Sequence, residues 1–327
     1  MSVRPFEFAP ARSVAGALES LASGASRALA GGTDLVREMR RGTAAPPRLV
    51  GIATLEALRS IERAASGVLR IGAAATLAEI ASHPAVLDSG AALAGACAAA
   101  ASQQVRNVAT LGGNLCQRPS CWYYRAGEKE CVARGGRSCA AEAGENAYHG
   151  IFPDGPCVAA HPSDAAPALI ALGAIARVGG SAGERALPVE DLYRAPTPLR
   201  PSDLALERGE LILDVLLPAP APGARSVFEK ARDRRAFAFA LASVALAAVV
   251  DAGGRLSRCR VAVSGVGPRP YRLRAVESAI EGRTPSPDVA AAAGARAVAG
   301  ARPLPGNGYK AALVRGLVAA AVERFAG

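Results

Sequence analysis

Five of the seven cysteines lie in one window of the sequence, residues 116–157, and this window is the strongest chemical signal in the chain. They are Cys116, Cys121, Cys131, Cys139 and Cys157. No two of them form the C-x-x-C pair of a redox dithiol, and the sequence between them is polar and contains glycine. The ligands of a metal cluster often come from such widely spaced turns. The spacing therefore favours an iron-sulfur centre.

The number of cysteines leaves the choice of ligands open. Cys97 falls in an alanine-rich stretch and Cys259 in a predicted strand, so we expect both to be small buried hydrophobic residues. An odd total argues against a disulfide framework. Five candidates then remain for four positions. Four thiolates also suit zinc, although zinc sites usually contain closely spaced cysteine pairs and only Cys116 and Cys121 are that close.

The chain contains two glycine pairs that are flanked by polar side chains. Residues 31–34 (Gly-Gly-Thr-Asp) follow a predicted strand over 26–30, and residues 110–114 (Thr-Leu-Gly-Gly-Asn) follow a stretch with turn chemistry. Glycine lets backbone N–H groups turn towards an anion, and a hydroxyl adds a donor. Both loops suit a pyrophosphate. The chain lacks GxGxxG after its first strand and lacks GxxxxGK[ST], so neither a Rossmann fold nor a P-loop is predicted.

The elements that must position these residues alternate between strands and helices. The patterns predict a mixed α and β fold, with a Pro-rich linker over 218–223, a domain boundary near Pro222, and strands before helices in the last part. Residues 127–155 show no clear period, which predicts an insertion ordered by a bound cluster. Residues 165–175 are predicted as a helix or as a helix followed by a strand. The other main predicted elements are helices over 13–22, 85–101, 271–281, 289–299 and 308–325 and strands over 47–52, 68–71, 210–218, 226–233, 240–250 and 259–266.

Composition narrows the class of protein. The chain has 327 residues, of which 50% are hydrophobic and 20% charged, which is typical of one large or two ordinary globular domains. The formal net charge is +10, but the arginines are dispersed and no aromatic platform accompanies them, so we expect no nucleic-acid binding. We also expect no signal peptide. The longest uncharged apolar stretch, 236–250, is too short for a membrane helix.

Six short motifs, in this order along the chain, resemble those of the FAD-binding medium subunits in the xanthine dehydrogenase and carbon monoxide dehydrogenase family of molybdenum hydroxylases. The resemblance implies an α+β fold. A two-part FAD-binding domain of the vanillyl-alcohol-oxidase (PCMH) type would span residues 1–222, and a C-terminal α+β domain with a three-stranded antiparallel sheet and helices would span 223–327. The motifs lie at residues 30–35, 71–76, 105–115, 161–164, 209–212 and 228–234.

The cysteine window resembles an insert found in the medium subunits of bacterial periplasmic aldehyde oxidoreductases and of 4-hydroxybenzoyl-CoA reductase. Those inserts carry an additional [4Fe-4S] cluster. The resemblance implies that Cys121, Cys131, Cys139 and Cys157 bind this cluster. Cys116 occupies a position that is commonly apolar in that pattern, so it is expected to be a bystander.

The resemblance also implies the residues that hold FAD, while no catalytic residue is expected in this chain. Lys230 would close over the flavin from the second domain, although a solvent-exposed lysine at a strand edge is the alternative. His161 would face the flavin, the cluster or neither. The implied cofactor-binding residues are Leu29, Ala30, Gly31, Gly32, Thr33, Asp34, Leu35, Thr76, Thr110, Gly112, Gly113, Asn114, Ser163, Asp164 and Lys230.

The function implied is that of an electron-transfer subunit with FAD and a [4Fe-4S] cluster. Electrons would come from [2Fe-2S] clusters of a small partner subunit and pass to an external acceptor, while a large subunit with a molybdenum cofactor oxidises the substrate, an aldehyde. This heterotrimer would lie in the periplasm by co-export with a partner, or in the cytoplasm. Two other hypotheses remain: a free-standing FAD oxidase of the vanillyl-alcohol type, and a zinc-stabilised binding module.

Overall fold

In the computed structural model, which describes residues 3–326, the N-terminal part begins with a small parallel sheet. Strands β1 (Glu7–Pro10) and β2 (Ser26–Leu29) both pair in parallel with the central strand β3 (Arg48–Gly51). Helix α1 (Val14–Leu21) makes the crossover from β1 to β2, and helix α2 (Leu35–Arg41) makes the next one. Parallel strands need such crossovers. The first glycine pair therefore lies at the carboxyl end of β2, directly before α2.

A second sheet of five strands lies behind the first, and all its neighbouring strands are antiparallel. The strand order is β4-β5-β8-β6-β7. The hairpin of β6 and β7 was not predicted, because its sequence carries Gly, Arg and Glu in place of an alternating apolar pattern. The five strands are β4 (Ile61–Arg63), β5 (Leu69–Gly72), β6 (Ile175–Gly180), β7 (Gly183–Pro188) and β8 (Leu211–Leu217).

Short helices cover this sheet and pack into one large apolar core with β5, β6 and β8. The prediction of one long helix over 85–101 is wrong, because Gly90 adopts a non-helical conformation (φ −164°, ψ 64°) and separates two helices. The helices of this region are α3 (Leu77–Ser82), α4 (Pro84–Ser89), α5 (Ala91–Ala99), α6 (Gln103–Arg106), α7 (Leu111–Leu115) and α9 (Ala165–Ala171).

The segment between α7 and α9 contains little regular structure. Its only helices among the described residues are α8 (Trp122–Ala126) and a 3₁₀ helix (Val132–Arg134). A small apolar cluster of its own holds Tyr124, Val132 and Ala133 together with three of the cysteines. The irregular path agrees with the absence of a hydrophobic period in the sequence.

The C-terminal part is an antiparallel sheet with helices packed on one face. Its strand order is β12-β11-β10-β9. The predicted count of three strands needs a correction, since Tyr271 and Arg272 pair with β11 as a two-residue fourth strand and the following helix starts at Arg274 instead of 271. The elements are β9 (Ala224–Ala231), β10 (Ala242–Val250), β11 (Leu256–Ser264), β12 (Tyr271–Arg272), α10 (Arg274–Ile280), α11 (Pro287–Ala297) and α12 (Tyr309–Glu323).

The apolar stretch 236–250 forms strand β10 over most of its length, and its side chains enter the core of the C-terminal part. Among residues 3–326, no helix combines the length and the apolar character that crossing a membrane requires.

Candidate cofactor sites

A cavity of about 680 Å³ lies between the N-terminal part and the loop that joins β9 to β10. The first glycine loop forms one wall through Gly32, Thr33 and Asp34, and Phe237 and Phe239 face it from the C-terminal part. The volume is in the range of cofactor sites, and both polar and apolar groups line it. We call it the flavin cavity below.

Close backbone contact explains why the first loop begins with glycine. A Cβ atom on Gly31 would lie 1.8 Å from the carbonyl oxygen of Val108, so any side chain would force the two segments apart. Gly32 has a φ of +69°, a left-handed conformation that L-residues rarely adopt. The sequence thus brings residues 31–34 against residues 108–109, and both segments contribute to the wall of the cavity.

The second glycine pair forms a short helix instead of the expected turn. Gly112 and Gly113 lie inside α7, and the Thr110 hydroxyl caps it by accepting a hydrogen bond from the N–H of Gly113 at 3.2 Å. Asn114 lines the cavity. Thr110, Gly112 and Gly113 therefore position Asn114 rather than facing the cavity themselves.

Asn114 stands in a hydrogen-bond network that joins three segments. Its Oδ1 accepts from the Ser163 hydroxyl at 2.7 Å, and its Nδ2 donates to Gln117 at 3.0 Å. Gln117 donates in turn to Asp34 at 2.8 Å. The network fixes both predicted loops and the 161–164 motif relative to one another. Gln117 was not predicted, and it has no signal of its own in the sequence.

Lys230 and Asp164 form a buried ion pair at the cavity wall. Lys230 Nζ lies 2.7 Å from Asp164 Oδ2, and the side chains are only 3% and 6% exposed. Lys230 also donates to the carbonyl oxygen of Ala99. The alternative of a solvent-exposed lysine is therefore wrong. Burial raises the pKa of Asp164 to about 6, against the charges of Lys230 and Arg232, which lower it.

His161 faces the flavin cavity, not the thiols. Its ring packs edge-on against Tyr193 with centroids 4.7 Å apart, and neither ring nitrogen has a hydrogen-bond partner among the described residues. Burial lowers the pKa of His161 to about 3, so the ring is neutral near pH 7. Asp164 Oδ1 is also without a partner. Buried polar groups normally have partners, so these atoms fit a polar ligand in the cavity.

Five of the fifteen predicted cofactor-binding residues line the cavity directly, namely Gly32, Thr33, Asp34, Asn114 and Asp164. The others support the wall; Thr76, for example, caps α3 in a capping box with Glu79. The supporting residues are Leu29, Ala30, Gly31, Leu35, Thr76, Thr110, Gly112, Gly113, Ser163 and Lys230. Several cavity residues were not predicted from the sequence. Of these, only Arg37 and Arg40, which lie one turn apart on α2, show a sequence pattern that could have indicated a site. The missed residues include Arg37, Arg40, Gln117, Trp122, Tyr148, Arg234, Phe237 and Phe239.

A second, small cavity lies inside the irregular segment. Cys121, Cys131, Cys139 and Cys157 all line it, with aromatic and alanine side chains between them. Cys116 does not line it. We call it the thiol cavity. The structure thus brings together the four cysteines that the resemblance indicated, from four separate turns.

Burial affects the protonation of these thiols. It raises the pKa of Cys121 to about 11 and that of Cys157 to about 12, which favours the neutral thiol at both positions. A bound cation would favour the thiolates instead.

The thiol cavity is small, with a volume of about 10 Å³. Among residues 3–326, no three His, Cys, Asp or Glu side chains converge closely enough to hold one metal ion, and tetrahedral zinc requires its ligands about 2.3 Å from one centre. A four-iron cluster would take one cysteine at each of its corners, and four cysteines line this cavity.

Comparison with known protein families identifies both parts of the chain. Residues 4–220 match the model described as the FAD binding domain in molybdopterin dehydrogenase. Residues 226–325 match the CO dehydrogenase flavoprotein C-terminal domain.

Individual relatives and solved structures agree with these matches. The chain is 37% identical to the aldehyde oxidoreductase FAD-binding subunit PaoB of Escherichia coli K12, over 76% of this chain and 77% of that protein. It is 28% identical to 6-hydroxypseudooxynicotine dehydrogenase complex subunit alpha of Paenarthrobacter nicotinovorans, over 96% and 92%. A chain of carbon monoxide dehydrogenase from Hydrogenophaga pseudoflava superimposes with a TM-score of 0.76, 25% identity and full coverage of both chains.

Proposed function

The chain belongs to the family of FAD-binding medium subunits of the xanthine dehydrogenase and carbon monoxide dehydrogenase type, and from this premise we propose that it is the FAD- and [4Fe-4S]-bearing electron-transfer subunit of a molybdenum-containing aldehyde oxidoreductase. FAD can accept electrons one at a time from iron-sulfur centres and pass them to an external acceptor, which suits it to this position. The chain's own task is to hold, orient and shield the two cofactors.

The flavin cavity has the groups that such a task requires. The first glycine loop and Asn114 would hold the pyrophosphate end, because they combine close backbone approach with fixed polar side chains. Arg37 and Arg40 supply positive charge at the same cavity. The buried Lys230–Asp164 pair joins the two parts of the chain at the wall of this cavity.

The single observation that carries the cluster assignment is the convergence of four cysteines on the thiol cavity while Cys116 lies elsewhere. Four thiols from turns spread over residues 121–157 line this one cavity, which supports the proposal.

Partners and substrate follow from the relatives. We propose a large subunit that carries the molybdenum cofactor and a small subunit with [2Fe-2S] clusters. An aldehyde as substrate is supported by the 37% identity to the aldehyde oxidoreductase subunit. Electrons would enter this chain from the small subunit and leave it for an external acceptor.

Analysis of the complex, purified without oxygen after co-expression of the chain with its neighbouring subunits, tests the proposal. We expect flavin absorption bands, a broad iron-sulfur absorption, and about four iron and four sulfide per FAD in excess of the [2Fe-2S] content of the small subunit. Flavin bands without that excess iron would contradict the cluster, and zinc in its place would favour the binding-module hypothesis.

A pair of variants tests the choice of ligands. Cys139→Ser should abolish the additional cluster's EPR signal, because this side chain lines the thiol cavity. Cys116→Ser is the matched control and should leave the signal intact. The opposite result would show that the ligand set is wrong.

A further inference from the structure

A group of aromatic rings lies between the flavin cavity and the thiol cavity. Trp122, the only tryptophan of the chain, and Tyr148 both line the flavin cavity. Their rings meet edge to face, with centroids 5.8 Å apart. They come from opposite ends of the irregular segment. The chain thus places two large π systems against the space that FAD would fill.

The rings continue from this cavity to the cysteines without a gap. The ring of His149 lies 5.3 Å from that of Trp122, centroid to centroid. His149 Nε2 lies 3.3 Å from Cys121 Sγ, and Cys121 lines the thiol cavity. A path of van der Waals and hydrogen-bond contacts therefore runs from the flavin cavity through Trp122 and His149 to a sulfur atom of the second site.

Burial alone does not account for these rings. Trp122 is 39% exposed and Tyr148 46% exposed, whereas rings that serve a core are covered by it. Their exposed surface faces the flavin cavity. A bound flavin dinucleotide would cover it and would stand in direct contact with the path.

The segment that carries Tyr148 and His149 is held firmly from the C-terminal part. Asn307 Nδ2 donates to the carbonyl oxygen of His149 at 3.2 Å, and Lys310 Nζ donates to that of Tyr148 at 2.9 Å. Lys310 is completely buried, and the acceptors of its amine among the described residues are the carbonyl oxygens of Tyr148 and Gly265. A buried amine is costly, and here its hydrogen bond fixes the backbone beside both rings.

We propose that Trp122, with Tyr148 and His149, forms the route by which electrons pass between FAD and the [4Fe-4S] cluster. This inference rests on the proposed function and goes beyond it, because it makes the cluster a redox partner of the flavin and not only a clasp for the insert. In each event one electron leaves the reduced flavin and the oxidised cluster gains it. No bond between the cofactors forms or breaks, and the rings are positioning residues that keep the two centres electronically coupled.

The test is a flash-photoreduction experiment on the purified complex. A photoexcited deazaflavin donor delivers one electron to FAD, and the decay of the reduced flavin is followed together with the cluster's own absorption. We compare Trp122→Leu, which removes the π system, with Trp122→Phe, which keeps a ring. FAD content, iron, sulfide and the cluster's EPR line shape are measured on each variant.

We expect electron transfer to slow by about tenfold or more in Trp122→Leu and to stay within about threefold of the wild-type rate in Trp122→Phe. An unchanged rate in Trp122→Leu, with both cofactors present, would overturn the inference and leave the proposed function standing. Wild-type complex without the additional cluster would instead overturn the proposed function.

Tyr148→Leu provides the second variant in case Trp122→Leu disturbs cofactor binding. A slower rate with both cofactors retained supports the route. Loss of a cofactor in both leucine variants would contradict it, since the rings would then be part of the binding sites' packing and not of the electron path.

Discussion

The flavin cavity and the thiol cavity are built in opposite ways. The flavin cavity stands on strands and helices that share one large apolar core, and close glycine contacts and the hydrogen bonds of Asn114 fix its wall. The thiol cavity lies in a segment with two short helical turns and a small apolar cluster of its own, three of whose members are cysteines. Apolar burial therefore shapes the first site before its cofactor arrives. The segment around the thiol cavity has too little apolar burial to shape that site in the same way.

This difference predicts how each cofactor would contribute to the stability of the region that binds it. A site formed by a core gains from its ligand only the free energy of binding. A segment that lacks a core gains its order from the bound metal, since binding and folding are then one process. The two cofactors should consequently have unequal effects when each is removed in turn.

Removal of iron gives the largest expected effect. Structural zinc, a well-measured comparison, contributes about 10 kcal/mol or more to the ordering of its ligands. Chelation should therefore expose the segment to trypsin at exposed basic residues such as Lys129, Arg134 and Arg137. Removal of FAD should leave the segment protected. Peptide mapping of both samples checks this, and early cleavage outside residues 116–157 after chelation would contradict the contrast.

Lys230→Met comes next and acts on the flavin side. The change leaves the Asp164 carboxylate buried without its cation, and breaking a buried pair in this way costs about 3–5 kcal/mol. The free energy of unfolding and the FAD content should both fall. Lys129→Met, at an exposed residue, is the control.

The pH dependence of the Lys230→Met variant has a definite sign. Burial already raises the pKa of Asp164, so the folded protein binds a proton there that the unfolded chain binds only at lower pH. Loss of Lys230 removes a charge that lowers this pKa, so acidification from neutral pH should restore part of the variant's stability. The double variant with Asp164→Leu should recover stability at all pH values. A loss in the single variant that does not respond to pH would argue against a buried, unpaired carboxylate.

The same contrast explains what the sequence could predict. The four cysteines of the thiol cavity and the first glycine loop were recognisable because they combine residue types that few other roles require. Gln117 and Trp122 were not, since their roles depend on contacts with the distant residues Asp34 and Tyr148. The second glycine pair was read as a turn, but the Thr110 cap makes a helix of it.

Long-range pairing also limited the prediction of the fold. The strands with continuous apolar patterns, such as β8 and β10, were recognised. The β6–β7 hairpin was missed because β7 is largely exposed and polar, so its place in the sheet comes from pairing with β6 and not from its own pattern. Gly90 separates two helices within an alanine-rich stretch, in agreement with the low helix propensity of glycine itself.

Gly31→Ala tests whether the wall of the flavin cavity is rigid before the cofactor binds. The added methyl group would meet the carbonyl oxygen of Val108, and a backbone atom cannot rotate away as a flexible side chain could. We therefore expect the free energy of unfolding to fall by about 3 kcal/mol and the bound FAD to be lost. Gly316→Ala is the matched control, because its Cβ meets no atom within 4 Å. It should raise stability slightly. Unaltered FAD content in Gly31→Ala would mean that the two segments separate easily and that the wall is not rigid.

Lys310→Met has the smallest expected effect and acts where the two regions meet. Its amine donates to the carbonyl oxygens of Tyr148 and Gly265, and their loss should cost about 1–3 kcal/mol. Burial lowers the pKa of Lys310 to about 7, although Asp233 opposes the shift. Above that pH the folded chain holds a neutral amine while the unfolded chain still binds the proton. Stability of the wild type should therefore rise with pH from about 7 towards 10, and the rise should be absent in the variant.

The unfolding free energy of both proteins across this range, followed by Trp122 fluorescence and by flavin absorption, measures the effect. Because Lys310 anchors the segment beside Trp122 and does not line the flavin cavity, the fluorescence signal should change at lower denaturant than the flavin signal in the variant. Parallel pH profiles for wild type and variant would show that the Lys310 amine has the same protonation state in the folded and the unfolded chain across this range. Coincident fluorescence and flavin transitions would show that the irregular segment unfolds together with the flavin site, and the distinction between a preformed and a cofactor-ordered region would then fail.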